Sequence, residues 1–153
     1  DEPLQYFSEG FFAQRERLLA AKELDHPRFR YAHQFAEADA IVIAAPFWDL
    51  AFPALLKVYI ENVSVEGITF GCNASGCSGI CRAERMLFLT TRGGSYDGAP
   101  DEMGARYLEA LCGFFGIPRF DCVAADGLDL GLRPVEEILA EAKAKAAALA
   151  ATL

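Results

Sequence analysis

Residues 38–50 of the chain read ADAIVIAAPFWDL, and this stretch decides the fold class. Its apolar run, 40–45, shows no alternation of polar and apolar residues, which is typical of a parallel strand covered on both faces. Pro53 is suited to the first turn of a helix, and the residues that follow it are apolar at helical spacing. The stretch therefore predicts a strand, a loop and a helix in an α/β protein.

Working outward, the continuous apolar runs 85–91 and 120–125 predict two more strands. Further helices are predicted after the N-cap Ser8, over about 29–38 and 100–115, and from Pro134 to the end. Strand–helix alternation of this kind predicts a doubly wound parallel sheet. No linker or repeat divides the chain, so a single domain over 1–153 is expected.

Three strands are few for the sheet that this pattern predicts. The strand at 40–45 is expected at the centre of the sheet, and a three-stranded parallel sheet would leave an apolar edge unpaired. The sequence opens at Asp1, in an expected connecting loop, and has no initiator methionine there. We therefore expect an upstream strand–helix–strand unit, with two strands, outside this sequence.

Composition and charge exclude several protein classes. The 153 residues include 14 basic and 22 acidic side chains, for a net charge of −8, and 53% of them are hydrophobic. This composition argues against disorder and against a small disulfide-stapled fold. The acidic excess argues against sequence-independent binding of nucleic acid. No apolar run reaches the roughly 18 to 20 residues of a membrane span, and no export signal is present, so a cytoplasmic protein is expected.

The glycine- and cysteine-rich segment 64–82 is expected to be a long loop. Three of the five cysteines, Cys72, Cys77 and Cys81, lie within it. An odd number of cysteines without an export signal favours reduced thiols. The spacing C-x4-C-x3-C also differs from the paired C-x2-C of zinc sites and from most ferredoxin motifs. Ordinary thiols are therefore expected, and an iron–sulfur or zinc site is the alternative.

Two loops are candidates for ligand binding, because open α/β sheets bind ligands outside the carboxyl ends of their strands. The first, 46–53, holds three aromatic residues, which can wall a flat conjugated ring or simply cap the core. The second, 90–96, reads TTRGGSY. Thr91 offers a hydroxyl, Arg92 a cation, and the glycine pair permits close backbone approach, although glycine pairs also mark simple turns.

Other catalytic templates are missing from the sequence. Neither loop carries the G-x-G-x-x-G or G-x4-G-K-[ST] phosphate fingerprint. His26 and His33 have no nucleophile in a recognisable frame, which favours surface histidines. The acidic pairs at 101–102 and 136–137 stand at predicted helix starts, where carboxylates complement the helix dipole. Neither a catalytic side chain nor a metal site is predicted.

The stretch 38–50, continued by PALLKVYIENV at 53–63, resembles the FMN-dependent NAD(P)H:quinone oxidoreductase and azoreductase family of flavodoxin-like proteins. Two further blocks, GITF at 67–70 and LTTRGG at 89–94, match landmarks of this family in order and separation. The resemblance covers about residues 36 to 130. The agreement of four blocks is more specific than any one of them alone.

The resemblance implies a flavodoxin-like fold and a homodimer with FMN in each subunit, its active site partly walled by the partner. It assigns the isoalloxazine contacts to Phe47, Trp48, Asp49 and Leu50 in the first loop and to Thr91, Arg92, Gly93 and Gly94 in the second. It assigns Phe70, with Trp48, to the substrate pocket, where Phe70 is expected to act across the dimer. The phosphate-binding serine loop of the family would precede residue 1.

The implied reaction passes two electrons from NADH or NADPH, through FMN, to a quinone, an azo compound or a similar acceptor in a ping-pong sequence. The amides of Gly93 and Gly94 are expected to donate toward the flavin edge where negative charge develops on reduction. Asp49 departs from the Asn usual in the family, and a carboxylate does not donate a hydrogen bond as an amide does. The cysteine-rich segment is a second departure.

Three alternatives remain open at this point. The first is a one-electron carrier of the flavodoxin type. The second is an iron–sulfur flavoprotein that uses Cys72, Cys77 and Cys81. The third is an inactive fragment.

Overall fold

The computed structural model describes residues 4–152. Five helices, a 3-10 turn and five strands alternate along them. In chain order they are α1 (Glu9–Ala20), the 3-10 turn (Pro27–Phe29), α2 (Arg30–Glu37), β1 (Ile41–Ala44), α3 (Ala54–Val63), β2 (Phe70–Asn73), β3 (Gly76–Gly79), β4 (Met86–Thr91), α4 (Met103–Phe115), β5 (Phe120–Ala125) and α5 (Val135–Ala150). The predicted helices and the three predicted strands are all present.

The main sheet is parallel and has the order β1-β4-β5. Ile41 pairs with Met86, and Met86 in turn pairs with Phe120, so the three strands end at the same edge of the sheet. Among the described residues β1 lies at the sheet edge and Val42 is 53% exposed. Within residues 4–152 this strand is therefore neither central nor covered on both faces, contrary to expectation. On the face that carries Val42, α5 packs against β5 and leaves β1 uncovered.

One face of the sheet carries the main core. Phe35 of α2, Ile60 of α3 and Phe115 of α4 pack with Ile43 and Phe88 of the strands. Helix α5 lies beside β5 on the other face, where an apolar hollow of about 360 Å³ remains between α5 and the carboxyl ends of β1 and β4. A second cluster joins α1, the 3-10 turn and the segment after α3 through Leu18, Phe29, Ala32, Val65 and Ile68.

Helix boundaries follow local capping groups. Ser8 caps α1 through a bond from the Phe11 amide, as the sequence predicts. Helix α4 begins at Met103, later than the predicted start near 100, because the Glu102 carboxylate accepts from the Ala105 amide and acts as the N-cap. Gly116 ends α4 with a φ of 77°, a left-handed conformation that glycine adopts without strain. No helix in the 4–152 range is long and apolar enough to cross a bilayer.

The segment predicted as a long loop with reduced thiols is instead a disulfide-bonded hairpin. Strands β2 and β3 form a separate antiparallel sheet, and Cys72 lies directly opposite Cys77. The two residues are joined by a disulfide, whereas Cys81 is free. The prediction of ordinary thiols was wrong for this pair. A two-residue turn between the strands places two cysteines separated by four residues directly opposite each other. The bonded pair supplies no thiolate ligands for the iron–sulfur alternative in this structure.

Candidate functional site

The two candidate loops meet at the carboxyl edge of the sheet. The amide of Phe47 donates to the Thr91 carbonyl at 3.0 Å, which continues the β1–β4 pairing beyond the ends of both strands. Beyond that bond the rings of Phe47 and Tyr96 lie in contact, with centroids 4.5 Å apart. The loops that follow β1 and β4 are thus direct neighbours. The structure therefore presents one continuous surface built from residues 46–53 and 90–96.

The first loop closes on itself in a tight turn. Trp48 and Ala51 exchange two backbone hydrogen bonds, of 3.3 and 2.9 Å. The two residues between them, Asp49 and Leu50, have φ values of 50° and 66°. Positive φ at both central residues is the pattern of a type I′ turn, which Asn and Gly favour and Leu does not. The turn leaves the Trp48 side chain 59% exposed.

The start of α4 anchors this turn. The first helical amide, that of Met103, donates to the Leu50 carbonyl at 2.9 Å. Gly104 allows the approach, since a Cβ there would lie 3.3 Å from the Ala51 oxygen. The helix N-terminus thus satisfies one of its unpaired amide groups with the loop backbone. The strained turn is held in place by an element of the main core.

Arg92 is the electrostatic centre beneath the two loops. Its side chain is 4% exposed, and Nη2 lies 3.1 Å from Glu102 Oε1. Nη1 lies 3.6 Å from Asp126 Oδ1, and the guanidinium carbon is 5.5 Å from the centre of the Phe47 ring. The Asp126 carboxylate also accepts from the Tyr96 amide, at 2.9 Å to one oxygen. Arg92, predicted to contact a cofactor, is buried among acidic partners and positions the loops.

The glycine pair occupies the surface above this cluster. The carbonyls of Gly93 and Gly94 accept hydrogen bonds from the amides of Asp129 and Gly127, both at 2.9 Å. Within residues 4–152 neither glycine amide donates a hydrogen bond. A Cβ at Gly93 would lie 2.2 Å from the Asp129 carboxylate, so any larger residue would have to displace that side chain. The pair therefore has two N–H groups without an acceptor in the described part of the chain.

These features fit a flat anionic ring system. The exposed Trp48 ring supplies an aromatic wall, and the amides of Gly93 and Gly94 supply donors for an electron-rich edge. Thr91 is exposed on the same edge of the sheet. Asp49 is exposed too, and its ionised carboxylate can accept but not donate.

Phe70, the predicted substrate residue, lies elsewhere. It is the first residue of β2, and its ring packs on Phe114 of α4 with centroids 4.7 Å apart. Phe70 shares no aromatic ring contact with either loop among the described residues. Within this chain it is thus not part of the surface at 46–53 and 90–96.

A polar hollow of about 410 Å³ lies behind the second loop, at the free edge of β5. It is lined by charges of both signs, among them Arg92, Glu102 and Asp126. Cys122 also lines it, and burial raises the pKa of its thiol to about 11 although Arg92 acts in the opposite direction. This thiol is protonated at neutral pH and is a poor nucleophile.

The whole chain matches a known family. A profile described as a flavodoxin-like fold matches residues 1–150. The chain belongs to this flavodoxin-like family. It is 49% identical over 121 residues to the FMN-dependent NADH:quinone oxidoreductase of Clostridium perfringens strain ATCC 13124, an alignment that covers 79% of this chain and 61% of that protein.

Two further comparisons agree with this assignment. FMN-dependent NADH:quinone oxidoreductase 2 of Clostridium acetobutylicum strain ATCC 824 is 48% identical over 118 residues, covering 75% of this chain and 59% of the relative. The crystal structure of an azoreductase from Bacillus anthracis strain Sterne superposes with a TM-score of 0.86 at 27% identity, covering 99% of this chain and 78% of that one. The alignments thus span about three-fifths of the curated relatives' length. The flavodoxin-like fold inferred from the four sequence blocks is confirmed.

Sequence reasoning missed the residues that hold the two candidate loops together. Asp126 follows β5 directly, so the rule that selected the loops after β1 and β4 also selects it once β5 is known to neighbour β4. Glu102 was interpreted only as a carboxylate at a helix start. It has that role, and it also pairs with Arg92. No short-range signal connects these residues, which lie far apart in the sequence.

The two histidines are partly exposed and have structural roles. His26 Nδ1 accepts from the Arg28 amide at 3.1 Å, which caps the 3-10 turn. His33 Nε2 lies 2.9 Å from the Leu24 carbonyl. Both rings fix the packing of the segment between α1 and α2, away from the candidate loops.

Proposed function

We propose that the protein is an FMN-dependent oxidoreductase that transfers two electrons from NADH or NADPH to a quinone, an azo compound or a similar acceptor. The observation that carries this proposal is the joined surface of the two loops, which combines the exposed ring of Trp48 with the undonated amides of Gly93 and Gly94. The names of the relatives support FMN as the cofactor and NADH as the donor. The azoreductase neighbour supports the same architecture.

In this proposal the first loop walls the ring system. Phe47, Trp48, Asp49 and Leu50 form one side, and the backbone of the second loop meets the ring's polar edge. FMN, when bound, supplies the redox chemistry by accepting a hydride and releasing two electrons to an acceptor. The chain's own residues orient the ring and stabilise negative charge at its edge through the amides of Gly93 and Gly94. Thr91 adds a hydroxyl to that edge.

Arg92 contributes from below the site. Its guanidinium is fixed by Glu102 and Asp126, so it holds the second loop in place beneath the glycine amides. Because both of its partners are carboxylates, its role is to position the loop and not to supply a net positive charge. No side chain acts as a nucleophile in this scheme.

We propose a ping-pong sequence, in which the oxidised nicotinamide leaves before the acceptor stacks in the same place. The exposed ring of Trp48, which can wall one stacking position, supports this order. We propose further that two copies of the chain form a homodimer, with Phe70 of one copy lining the acceptor pocket of the other. A cytoplasmic location completes the proposal, since NADH and NADPH are supplied there.

The proposal is tested on the purified protein as the cell makes it. Flavin absorption near ~450 nm is expected, as the cofactor's own property. Stopped-flow mixing with NADH should bleach that band, and steady-state rates with a quinone should give parallel double-reciprocal lines. A colourless preparation that takes up no FMN would refute the proposal. Flavin bands without oxidation of NADH or NADPH would instead identify an electron carrier.

Gly94→Val tests the second loop directly. A Cβ at this position would lie 2.9 Å from Cε2 of Tyr96, so the larger side chain must displace that ring or the loop. We expect FMN affinity to fall at least about tenfold, equivalent to 1.4 kcal/mol. Fluorescence titration of the apoprotein with FMN measures it. Gly10→Val is the matched control, because nothing lies within 4 Å of a Cβ at Gly10 in α1. Equal affinity in the two variants would remove this loop from the site.

A further inference from the structure

The disulfide between Cys72 and Cys77 is the strongest chemical feature that the proposed reaction does not use. The two residues are directly opposed in the β2–β3 hairpin, and both are exposed. An attacking thiolate can therefore reach either sulfur without opening the core. The bond closes a ring of only six residues and links the two strands of one hairpin.

The outer part of the hairpin, residues 72–77, has little besides the disulfide to hold its strands together. The whole hairpin has four residue pairs and is not joined to the β1-β4-β5 sheet. Residues 72–78 are all exposed, and their side chains are small. An isolated two-stranded hairpin is marginally stable in water. The pairing of these outer residues therefore depends strongly on the crosslink, whereas the base of the hairpin also packs on α4.

The base of the hairpin connects the crosslinked strands to the end of α4. Phe70, the first residue of β2, pairs with Gly79, the last residue of β3. Phe70 packs on Phe114, and the backbone of Gly79 lies against that of Phe115 at the end of α4. Cys81, just after the hairpin, also donates its amide to the Phe115 carbonyl at 3.2 Å. A change in strand pairing is therefore transmitted to the position of Phe70.

We propose that Cys72 and Cys77 form a reversible redox site that controls the order of this hairpin and, through it, the placement of Phe70. The reductant is a dithiol. Its first thiolate attacks one sulfur, the cysteine S–S bond breaks, and a mixed disulfide forms while the other cysteine leaves as a thiolate and takes up a proton. The second thiol of the reductant then attacks the mixed disulfide. Two electrons and two protons pass to the cysteine pair, and the reductant leaves as a disulfide.

The proposed location of the protein supports reversibility. Disulfides in reducing compartments are usually transient, catalytic or redox-sensing, not permanent staples. The three remaining thiols are poor nucleophiles for attack on this disulfide. Burial raises the pKa of Cys81, Cys112 and Cys122 to about 11 in each case. These three stay protonated at neutral pH and exchange slowly. The part of the inference that concerns acceptor binding rests on the proposed function.

The test compares the oxidised and dithiothreitol-reduced protein under native conditions. Alkylation followed by denaturing mass spectrometry should show the 72–77 pair closed in the first sample and carrying two labels in the second. Hydrogen exchange of the amides in 70–79 should become at least about tenfold faster after reduction, while 54–63 in α3 stays unchanged. A pair that resists dithiothreitol, or a hairpin whose exchange rate does not change on reduction, would overturn the redox site.

Cysteine variants distinguish the effect of the Cys72–Cys77 pair from that of the other thiols. The double variant Cys72→Ser, Cys77→Ser should behave as the reduced protein in both conditions and show no response to dithiothreitol. Cys122→Ser is the matched control, since it removes a free cysteine of β5, outside the hairpin, and should retain the full response. A double variant that exchanges as slowly as the oxidised protein would also contradict the proposal, because the crosslink would then add no order.

Activity provides a separate measurement. Reduction should raise KM for the quinone by about threefold or more while FMN affinity is unchanged, because the hairpin carries Phe70 and not the flavin loops. An unchanged KM with faster hairpin exchange would overturn the link to acceptor binding alone. A protein that binds no FMN in either redox state would refute the proposed function, while the alkylation and exchange results would still decide the redox site.

Discussion

Leu50 is the most strained residue of the candidate site. Its φ of 66° places a γ-branched side chain in the left-handed region, next to Asp49 at 50°. Such a conformation costs roughly 1–2 kcal/mol for a residue with a Cβ. The cost is borne because the Leu50 carbonyl binds the Met103 amide and Trp48 pairs with Ala51 on the other side of the turn. Strain maintained by surrounding structure is typical of ligand-binding loops.

Leu50→Gly should therefore increase stability and reduce function. Glycine removes the left-handed penalty, and Leu50 is already 42% exposed, so little burial is lost. We expect the free energy of unfolding in urea to rise by about 0.5–1 kcal/mol, with weaker FMN retention because the exposed side chain is gone. Leu50→Ala keeps a Cβ and is the matched control, with no gain in stability. Equal stability of the Gly and Ala variants would show that the turn is not strained.

The buried cluster around Arg92 stabilises the conformation of the second loop from below. Arg92 lies at the end of β4, Glu102 caps α4 and Asp126 follows β5, so three elements meet at one guanidinium. Removing one partner of such a buried pair leaves an uncompensated charge. Nε of Arg92 has no hydrogen-bond partner among the described residues, which leaves one donor of the cluster unused.

At the scale of elements, the β2–β3 hairpin departs most from expectation. Its sequence, FGCNASGCSG, lacks the apolar alternation and β-branched residues by which strands are recognised. Its pairing comes from the disulfide and from contacts with the end of α4, neither of which a periodicity argument can detect. The segment is ordered by its neighbours and not by its intrinsic propensity.

Gly79→Ala tests that dependence. A Cβ at this position would lie 1.8 Å from the Phe115 carbonyl carbon, so the hairpin must move away from α4. A backbone clash of this kind should lower the free energy of unfolding by about 2–3 kcal/mol.

Gly71→Ala in the opposite strand is the control for this experiment, because nothing lies within 4 Å of a Cβ there. It should change stability by less than about 0.5 kcal/mol. Urea titration of both variants in the oxidised state provides the comparison. Similar losses at the two positions would mean that the hairpin does not rest on α4.

At the scale of the whole molecule, the sequence predicts the parallel sheet well, because buried parallel strands read as apolar runs whatever surrounds them. The loops after Ala45 and Thr90 could be located for the same reason, since carboxyl ends of neighbouring strands share an edge. The Arg92, Glu102 and Asp126 contacts could not, because they join separate elements. Val42 shows where this kind of prediction fails. The apolar run predicts that both faces of β1 are covered, but no element within residues 4–152 covers the face that carries Val42.

The free thiols make the stability of the fold sensitive to alkaline pH. Cys112 is 3% exposed in the main core, and burial raises the pKa of its thiol from 9.0 to about 11. The folded state therefore favours the protonated thiol. This contribution is fully present below pH 9 and is lost as the pH rises through about 11. Its full loss amounts to about 2–3 kcal/mol, an upper estimate for one thiol.

Urea unfolding at pH 8 and pH 11 measures this loss, on a background of Cys72→Ser and Cys77→Ser that prevents disulfide exchange. Tyr59 also has a pKa raised by burial, so wild-type Cys112 and Cys112→Ala must be compared. The Ala variant starts less stable because it leaves a small cavity. Its further decline between the two pH values should be smaller by about 1–2 kcal/mol. Parallel declines would mean that the Cys112 thiol stays protonated or is solvated when it ionises, and the buried-thiol account of alkaline sensitivity would be wrong.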